Sequence, residues 1–216
     1  MATAPNVALR PAVQATFLVS LLEILFGFFV PSFADHPRWV MLGALGGLRL
    51  LQAVAVIGLF RWGEGELRDI GLKREDLLPG LRRGIIWSLG FGLLVLASFL
   101  VLWLAGMNPL GLFRAGIGAT VPDRAALFLV GGLLGPVAEE LIFRGVLYGF
   151  FRRWGILAAL GISTAVFVLL HGGGGFAQMV GGVLFALAYE REKMLMTPIT
   201  VHVLGNLALF SLGLIG

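Results

Sequence analysis

The chain has no cysteine among its 216 residues. That absence excludes a disulfide framework, thiolate metal ligation and a catalytic thiol. Charge is also scarce, at 13% Asp, Glu, Lys and Arg, where an ordinary soluble domain carries roughly 25%. Histidines number three and tyrosines two. There is no Gly-x-Ser-x-Gly elbow for a serine nucleophile and no His-Glu-x-x-His zinc motif. Apolar sequence is abundant instead, with 58% hydrophobic residues, 32 glycines and a mean hydropathy of +0.96. This composition excludes a disordered chain, a nucleic-acid-binding tail and most soluble enzymes. It predicts an all-α fold, a polytopic transmembrane helix bundle forming a single domain over residues 1–216.

The hydrophobic runs predict seven spans, within a range of about six to eight at roughly 20 residues each. They cover about residues 13–33, 39–60, 84–105, 125–151, 156–170, 176–189 and 198–215. The fifth and sixth are short and are separated by the glycine run 172–175, so they are expected to be tilted, broken or re-entrant. With seven spans, Arg10, Arg61, Arg68, Lys73, Arg74, Arg82, Arg83, Arg152, Arg153, Arg191 and Lys193 fall on one side, against Arg38, Arg114 and Arg124 on the other. By the positive-inside rule the N-terminus is then cytoplasmic and the C-terminus outside. Ser32-Phe33-Ala34 resembles a signal cleavage site, but Glu23 interrupts a long apolar run, so the first span is expected to be retained. The net charge of +4 reads as a topology signal and implies no nucleic-acid partner.

Within the polar stretch 61–83, apolar residues recur among mixed charges over Leu67–Leu78, predicting a short amphipathic helix on the cytoplasmic interface. The pairs Gly43/Gly47, Gly131/Gly135 and Gly145/Gly149 have small-xxx-small spacing and are expected to pack helices closely.

Ionisable groups are costly in lipid, so each one inside a span asks for a reason. Glu140 and Arg144 are four apart and share a helix face, whereas Glu139 sits about 100° away and is left available. The alternative is a structural ion pair with a snorkelling glutamate. Phe167 and His171 also share a face, as do His202 and Asn206; alone, either polar group fits an interfacial residue or interhelical glue as well as a site. Together, two glutamates, two histidines, an arginine and an asparagine inside apolar helices form a site-sized set. Glu23 and Arg49, near the middle of adjacent antiparallel spans, are expected to neutralise one another structurally.

Three motifs in order, Glu139-Glu140-Leu141-Ile142-Phe143-Arg144, Phe167 to His171 and His202 to Asn206, resemble the CPBP family, the CAAX-processing and bacteriocin-processing (ABI) intramembrane proteases. Gly145-Val146-Leu147-Tyr148 also fits, and the resemblance covers about residues 125–210. It implies hydrolysis of a peptide bond in a membrane-tethered peptide or protein, CAAX-type or another C-terminal tail, by a glutamate-activated water and without a cofactor. Glu139 would be the general base, His171 would hold the water, and His202 and Asn206 would donate to the oxyanion. Glu140 and Arg144 would support that set and Phe167 would shape it. Two other readings stand beside this one. Glu139, His171 and His202 could ligate zinc in an intramembrane metalloprotease. The same groups could form a proton relay in a small transporter, although no inverted repeat is evident and the motifs all lie in one half. The compact basic loops suit a bacterial cytoplasmic (inner) membrane.

Overall fold

In a computed structural model of the chain, residues 6–108, 118–171 and 175–215 are described; Arg114 and Gly172 to Gly174 lie outside them. They form seven helices in chain order and, among the described residues, no strand. These are α1 Leu9–Phe29 (continued by a 3-10 turn over Val30–Phe33), α2 Arg38–Trp62, α3 Leu77–Leu104, α4 Val121–Trp154, α5 Ile156–Leu170, α6 Phe176–Glu192 and α7 Met196–Ile215. The runs containing α1, α2, α3, α4 and α7 are long and apolar enough to cross a membrane, while α5 and α6 are shorter. Dozens of large apolar side chains, such as Phe17, Phe28, Leu93, Leu96 and Leu157, face outward. That surface suits lipid rather than water.

Prolines mark where several helices begin. Pro11, Pro79 and Pro198 fall in first turns, and Pro37 precedes α2, positions where a missing N–H costs nothing. Thr120 caps α4, its hydroxyl accepting from the Asp123 N–H while Asp123 accepts back from Thr120; Asp123 Oδ1 also takes the Trp39 N–H at 3.0 Å. The start of α2 is thereby tied to the start of α4.

Pro136 lies in the interior of α4, where its ring would clash with the carbonyl one turn back. The helix widens to a π turn over Val130–Leu134, and the Gly135 N–H reaches the Val130 carbonyl. A second π stretch runs over Leu141–Tyr148. Such bulges shift the register of side chains on either side, and in α4 they flank Glu139 and Glu140.

Helices approach where glycine removes a side chain. A Cβ at Gly46 would lie 2.8 Å from Val130 Cγ2, at Gly80 2.8 Å from Met196 Cβ, and at Gly182 2.8 Å from Thr164 Cγ2. These positions cross α2 over α4, α3 over α7 and α6 over α5. Gly131, Gly145 and Gly149 are likewise tight, against Phe210, Ile70 and Val7. The expectation for Gly43 and Gly47 is overturned: both face open space, because the helix phase puts Gly46 at the crossing.

The expected amphipathic helix at 67–78 is also corrected. Two 3-10 turns, Leu67–Ile70 and Arg74–Asp76, are separated by Gly71 at φ 71°, a left-handed conformation that stops helix growth. Ile70 is buried against Gly145, and the Gly71 carbonyl accepts the Leu195 N–H at 2.8 Å. α3 then starts at Leu77, seven residues ahead of the expected span, because Arg82 and Arg83 lie within the helix rather than before it. At this end Glu190 of α6 accepts from Tyr148 Oη at 2.8 Å and Arg152 Nε at 2.9 Å and pairs with Lys193, locking α4 to α6.

Glu23 and Arg49 join α1 to α2 as expected, and Gln52 adds to the pair. Arg49 Nη1 pairs with Glu23 Oε1 and donates to Gln52 Oε1 at 2.8 Å, and Gln52 Nε2 donates to Glu23 Oε1 at 3.1 Å.

Candidate functional site

Residues of all three motifs meet where α4, α5, α6 and α7 pack together. Consecutive residues on a helix point about 100° apart. Glu140 consequently turns into the bundle, with no exposed surface, while Glu139 keeps 18% of its side chain accessible. Their partners differ accordingly.

Glu140 Oε1 accepts two hydrogen bonds, from Arg144 Nη1 at 2.8 Å and from His202 Nδ1 at 2.8 Å. Arg144 is fully buried and donates through Nη2 to the Gly182 carbonyl of α6 at 3.0 Å. Its guanidinium carbon lies 4.9 Å from the centre of the Phe167 ring, 5.2 Å from Phe185 and 5.9 Å from Phe143. A buried charge needs such company, since its hydration has been lost and must be replaced by hydrogen bonds and ring faces. Gly182 permits the contact: a side chain there would strike Thr164 of α5.

Among the described residues Glu139 has no cationic partner at hydrogen-bond distance. Its Oε2 faces two imidazoles, His171 Nε2 at 3.7 Å and His202 Nε2 at 3.8 Å. The other nitrogen of each ring is engaged. His171 Nδ1 lies 2.8 Å from the Phe167 carbonyl one turn back, and His202 Nδ1 bonds to Glu140. A carbonyl or carboxylate oxygen can only accept, so both Nδ1 atoms carry a proton, and each ring turns its Nε2 toward Glu139. Phe167 stacks close to His171, with 4.3 Å between ring centres, which fixes the latter at the end of α5. His202 is thus bracketed by two successive glutamates, one on each ring nitrogen.

Asn206 is one turn beyond His202 on α7, and its Nδ2 donates to the Gly131 carbonyl at 2.8 Å. In a regular helix that carbonyl would accept from Gly135, which here bonds to Val130 instead. The next residue that could serve is Pro136, which has no N–H. Asn206 therefore satisfies the acceptor orphaned by the π turn, with one of its two amide hydrogens.

The structure brings Glu139, Glu140, Arg144, Phe167, His171 and His202 into one cluster and joins Asn206 to α4 beside it. Two contributors lie outside the motifs, Gly182 and Phe185, and a third, Phe143, fills an unassigned position within the first. Phe185 stacks on His202 with ring centres 4.3 Å apart and planes 21° from parallel. In so apolar a sequence a phenylalanine facing the site is indistinguishable from one facing lipid. Among the described residues no group of three or more His, Cys, Asp or Glu is gathered to hold a metal ion.

The same region is similar to known proteins. Residues 121–208 match the family described as type II CAAX prenyl endopeptidase Rce1-like. The chain is 34% identical over 83 residues, 34% of each chain, to the membrane-embedded CAAX protease MroQ of Staphylococcus aureus. It is 26% identical over 142 residues, 58% of each chain, to the putative membrane peptidase YdiL of Bacillus subtilis. The matches span about a third of the first relative's length and a little over half of the second's. No solved structure matches the chain. Over residues 121–208, the stretch that carries the whole cluster, the chain is similar to the CPBP family of CAAX-type membrane proteases.

Proposed function

We propose that the protein is an intramembrane endopeptidase that hydrolyses a peptide bond of a membrane-associated peptide or protein, a CAAX-type or other C-terminal tail, with a water activated by Glu139. One observation carries the reading: Glu139 Oε2 lies 3.7 and 3.8 Å from two imidazole Nε2 atoms. That spacing is too long for direct hydrogen bonds and suits groups that share one water. Partial exposure of Glu139 and His171 supports access for water and substrate, while the Glu140–Arg144 layer beneath stays dry.

In this mechanism Glu139 takes the proton as the water oxygen attacks the carbonyl carbon. The neutral Nε2 of His171 accepts the other water proton in a hydrogen bond and aims the lone pair. His202 serves the oxyanion in its doubly protonated form, with Glu140 on Nδ1 balancing the charge, and the second amide hydrogen of Asn206 joins it. Glu139 then returns its proton to the leaving amine. The names of the relatives, one a CAAX protease and the other a putative membrane peptidase, support this substrate class. Bacterial relatives and one-sided basic loops support a bacterial cytoplasmic membrane, with the N-terminus inside.

The test uses protein in phosphatidylethanolamine and phosphatidylglycerol liposomes with a quenched-fluorescence peptide ending in a farnesylated CAAX sequence. Wild type cleaves it, and Glu139→Gln lowers the rate at least about 100-fold, the contribution expected of a general base. Undiminished cleavage by Glu139→Gln ends the glutamate mechanism; an intact peptide with wild type ends the CAAX assignment. Metal content of the active protein decides against the alternative of a zinc peptidase ligated by Glu139, His171 and His202, or for it.

A further inference from the structure

Placing His202 correctly takes more than Glu140. A hydrogen bond at Nδ1 fixes one point of the imidazole and leaves the ring plane free to tilt about that bond, which would carry Nε2 away from Glu139. Phe185, on α6, lies nearly parallel to the imidazole, with 4.3 Å between ring centres. Rotating the imidazole out of its plane would drive its edge into that face. Phe167 meets His202 from another direction, edge to face at 6.0 Å, so the imidazole is walled by aromatic rings from α5 and α6. The Phe185 ring also lies 5.2 Å from the Arg144 guanidinium carbon. It therefore touches both donors that converge on Glu140 Oε1.

We infer that Phe185 is a positioning residue for the hydrolysis proposed above: its ring holds the His202 imidazole in the orientation that turns Nε2 toward Glu139 while Nδ1 donates to Glu140. The inference rests on that reading of the site and adds a residue outside the three motifs. Phe185 is 7% exposed and belongs to α6, which supplies no charged group to the cluster. The charged and titratable groups around His202 are Glu139, Glu140 and Arg144 of α4, with His171 of α5 beyond Glu139. The role of Phe185 is accordingly steric and aromatic. Gly181 lies along the Cε2–Cζ edge of the ring, where a side chain would come within 3.3 Å. Phe185→Tyr keeps the aromatic face and Phe185→Leu removes it at similar bulk.

The experiment pairs kinetics on the farnesylated CAAX peptide with imidazole NMR in micelles. The chain has only three histidines, His36, His171 and His202, so selective labelling yields three sets of ring signals, assigned by replacing His36 and His171. Phe185→Leu is expected to lower kcat about 10-fold to 100-fold, the cost of misplacing a catalytic group by about 1 Å, with KM and folded yield unchanged. The His202 ring protons, shielded by the aromatic face in wild type, move toward unshielded positions. Phe185→Tyr restores both. Wild-type kcat in Phe185→Leu, or His202 signals that do not move, overturns the positioning role; so does a loss that Phe185→Tyr fails to restore. If Glu139→Gln cleaves normally, the hydrolytic reading fails and the role of Phe185 falls with it. If Glu139→Gln is dead but Phe185→Leu is unaffected, only the inference about Phe185 fails.

Discussion

Arg144 offers the most direct measure of how much the buried layer contributes to the fold. Replacing it by leucine deletes the 2.8 Å bond to Glu140 and the 3.0 Å bond to the Gly182 carbonyl. Glu140 is then left with His202 as its one donor, in a position with no exposed surface. Removing one partner of a buried ion pair in soluble proteins costs about 3–5 kcal/mol. In membranes the unfolded helices also find partners, and a single interhelical hydrogen bond is worth only about 0.6 kcal/mol. Two bonds and an orphaned carboxylate place the expected loss near the bottom of the first range, about 3 kcal/mol. The assay is reversible unfolding in mixed micelles by titration with dodecyl sulfate, for Arg144→Leu, Glu140→Leu and the double variant. The double variant removes both charges and leaves only the His202 Nδ1–H unpaired, a penalty of about 1–3 kcal/mol. It should therefore be more stable than the sum of the single losses by at least about 1.5 kcal/mol, within the range seen for residues in one network. A loss for Arg144→Leu below about 0.5 kcal/mol, the scale of an inconsequential substitution, would refute the reasoning. Additivity of the two single changes would refute it equally.

Three shorter predictions test other parts of the bundle. Gly46→Ala places a methyl 2.8 Å from Val130 Cγ2 and should cost about 1–3 kcal/mol, whereas Gly47→Ala enters open space and should fall within about 0.5 kcal/mol of wild type by the same unfolding assay. Glu23→Gln removes the ion pair joining α1 to α2, where both side chains are part exposed; unfolding should shift by no more than about 1 kcal/mol, with peptide cleavage unchanged. Cleavage should survive a chelator, and purified active protein should carry well under one zinc per chain by elemental analysis; stoichiometric zinc with chelator-sensitive activity would transfer the site to the metal reading.

The spans were legible because apolar runs of membrane length are a signal that tertiary context rarely overrides. The run 156–170 has the bounds of α5, and Glu23 with Arg49 pair across α1 and α2 as their shared depth implied. What escaped the sequence depends on phase and on local backbone. Spacing alone cannot say whether Gly43 and Gly47 or Gly46 faces a neighbour, because a small-xxx-small pattern marks a stripe without marking its direction. The turns in 67–76 escaped because the apolar repeat favoured a helix while Gly71 broke it. The cluster was read by residue type and i,i+4 spacing, and the polar side chains at Glu140, Arg144 and His202 meet as that spacing implied. Phe185 and Gly182 were hidden because their contribution is a ring face and a missing side chain, neither of which stands out in a sequence this apolar.

The role of Pro136 shows how backbone and site depend on each other. A proline inside a membrane helix costs a hydrogen bond that no water repays in the hydrocarbon. Here the π turn at Val130–Leu134 absorbs the clash and leaves the Gly131 carbonyl without a helical donor, and Asn206 supplies one from α7. The same α7 carries His202, four residues earlier, onto Glu140. Two interhelical bonds one turn apart thus fix the depth and rotation of α7 against α4, and with them the distance from His202 Nε2 to Glu139. Asn206 consequently acts on the site through the backbone. This pinning gives two adjacent carboxylates different surroundings: Glu140 has its donors, and Glu139, 100° around the helix, faces the imidazoles.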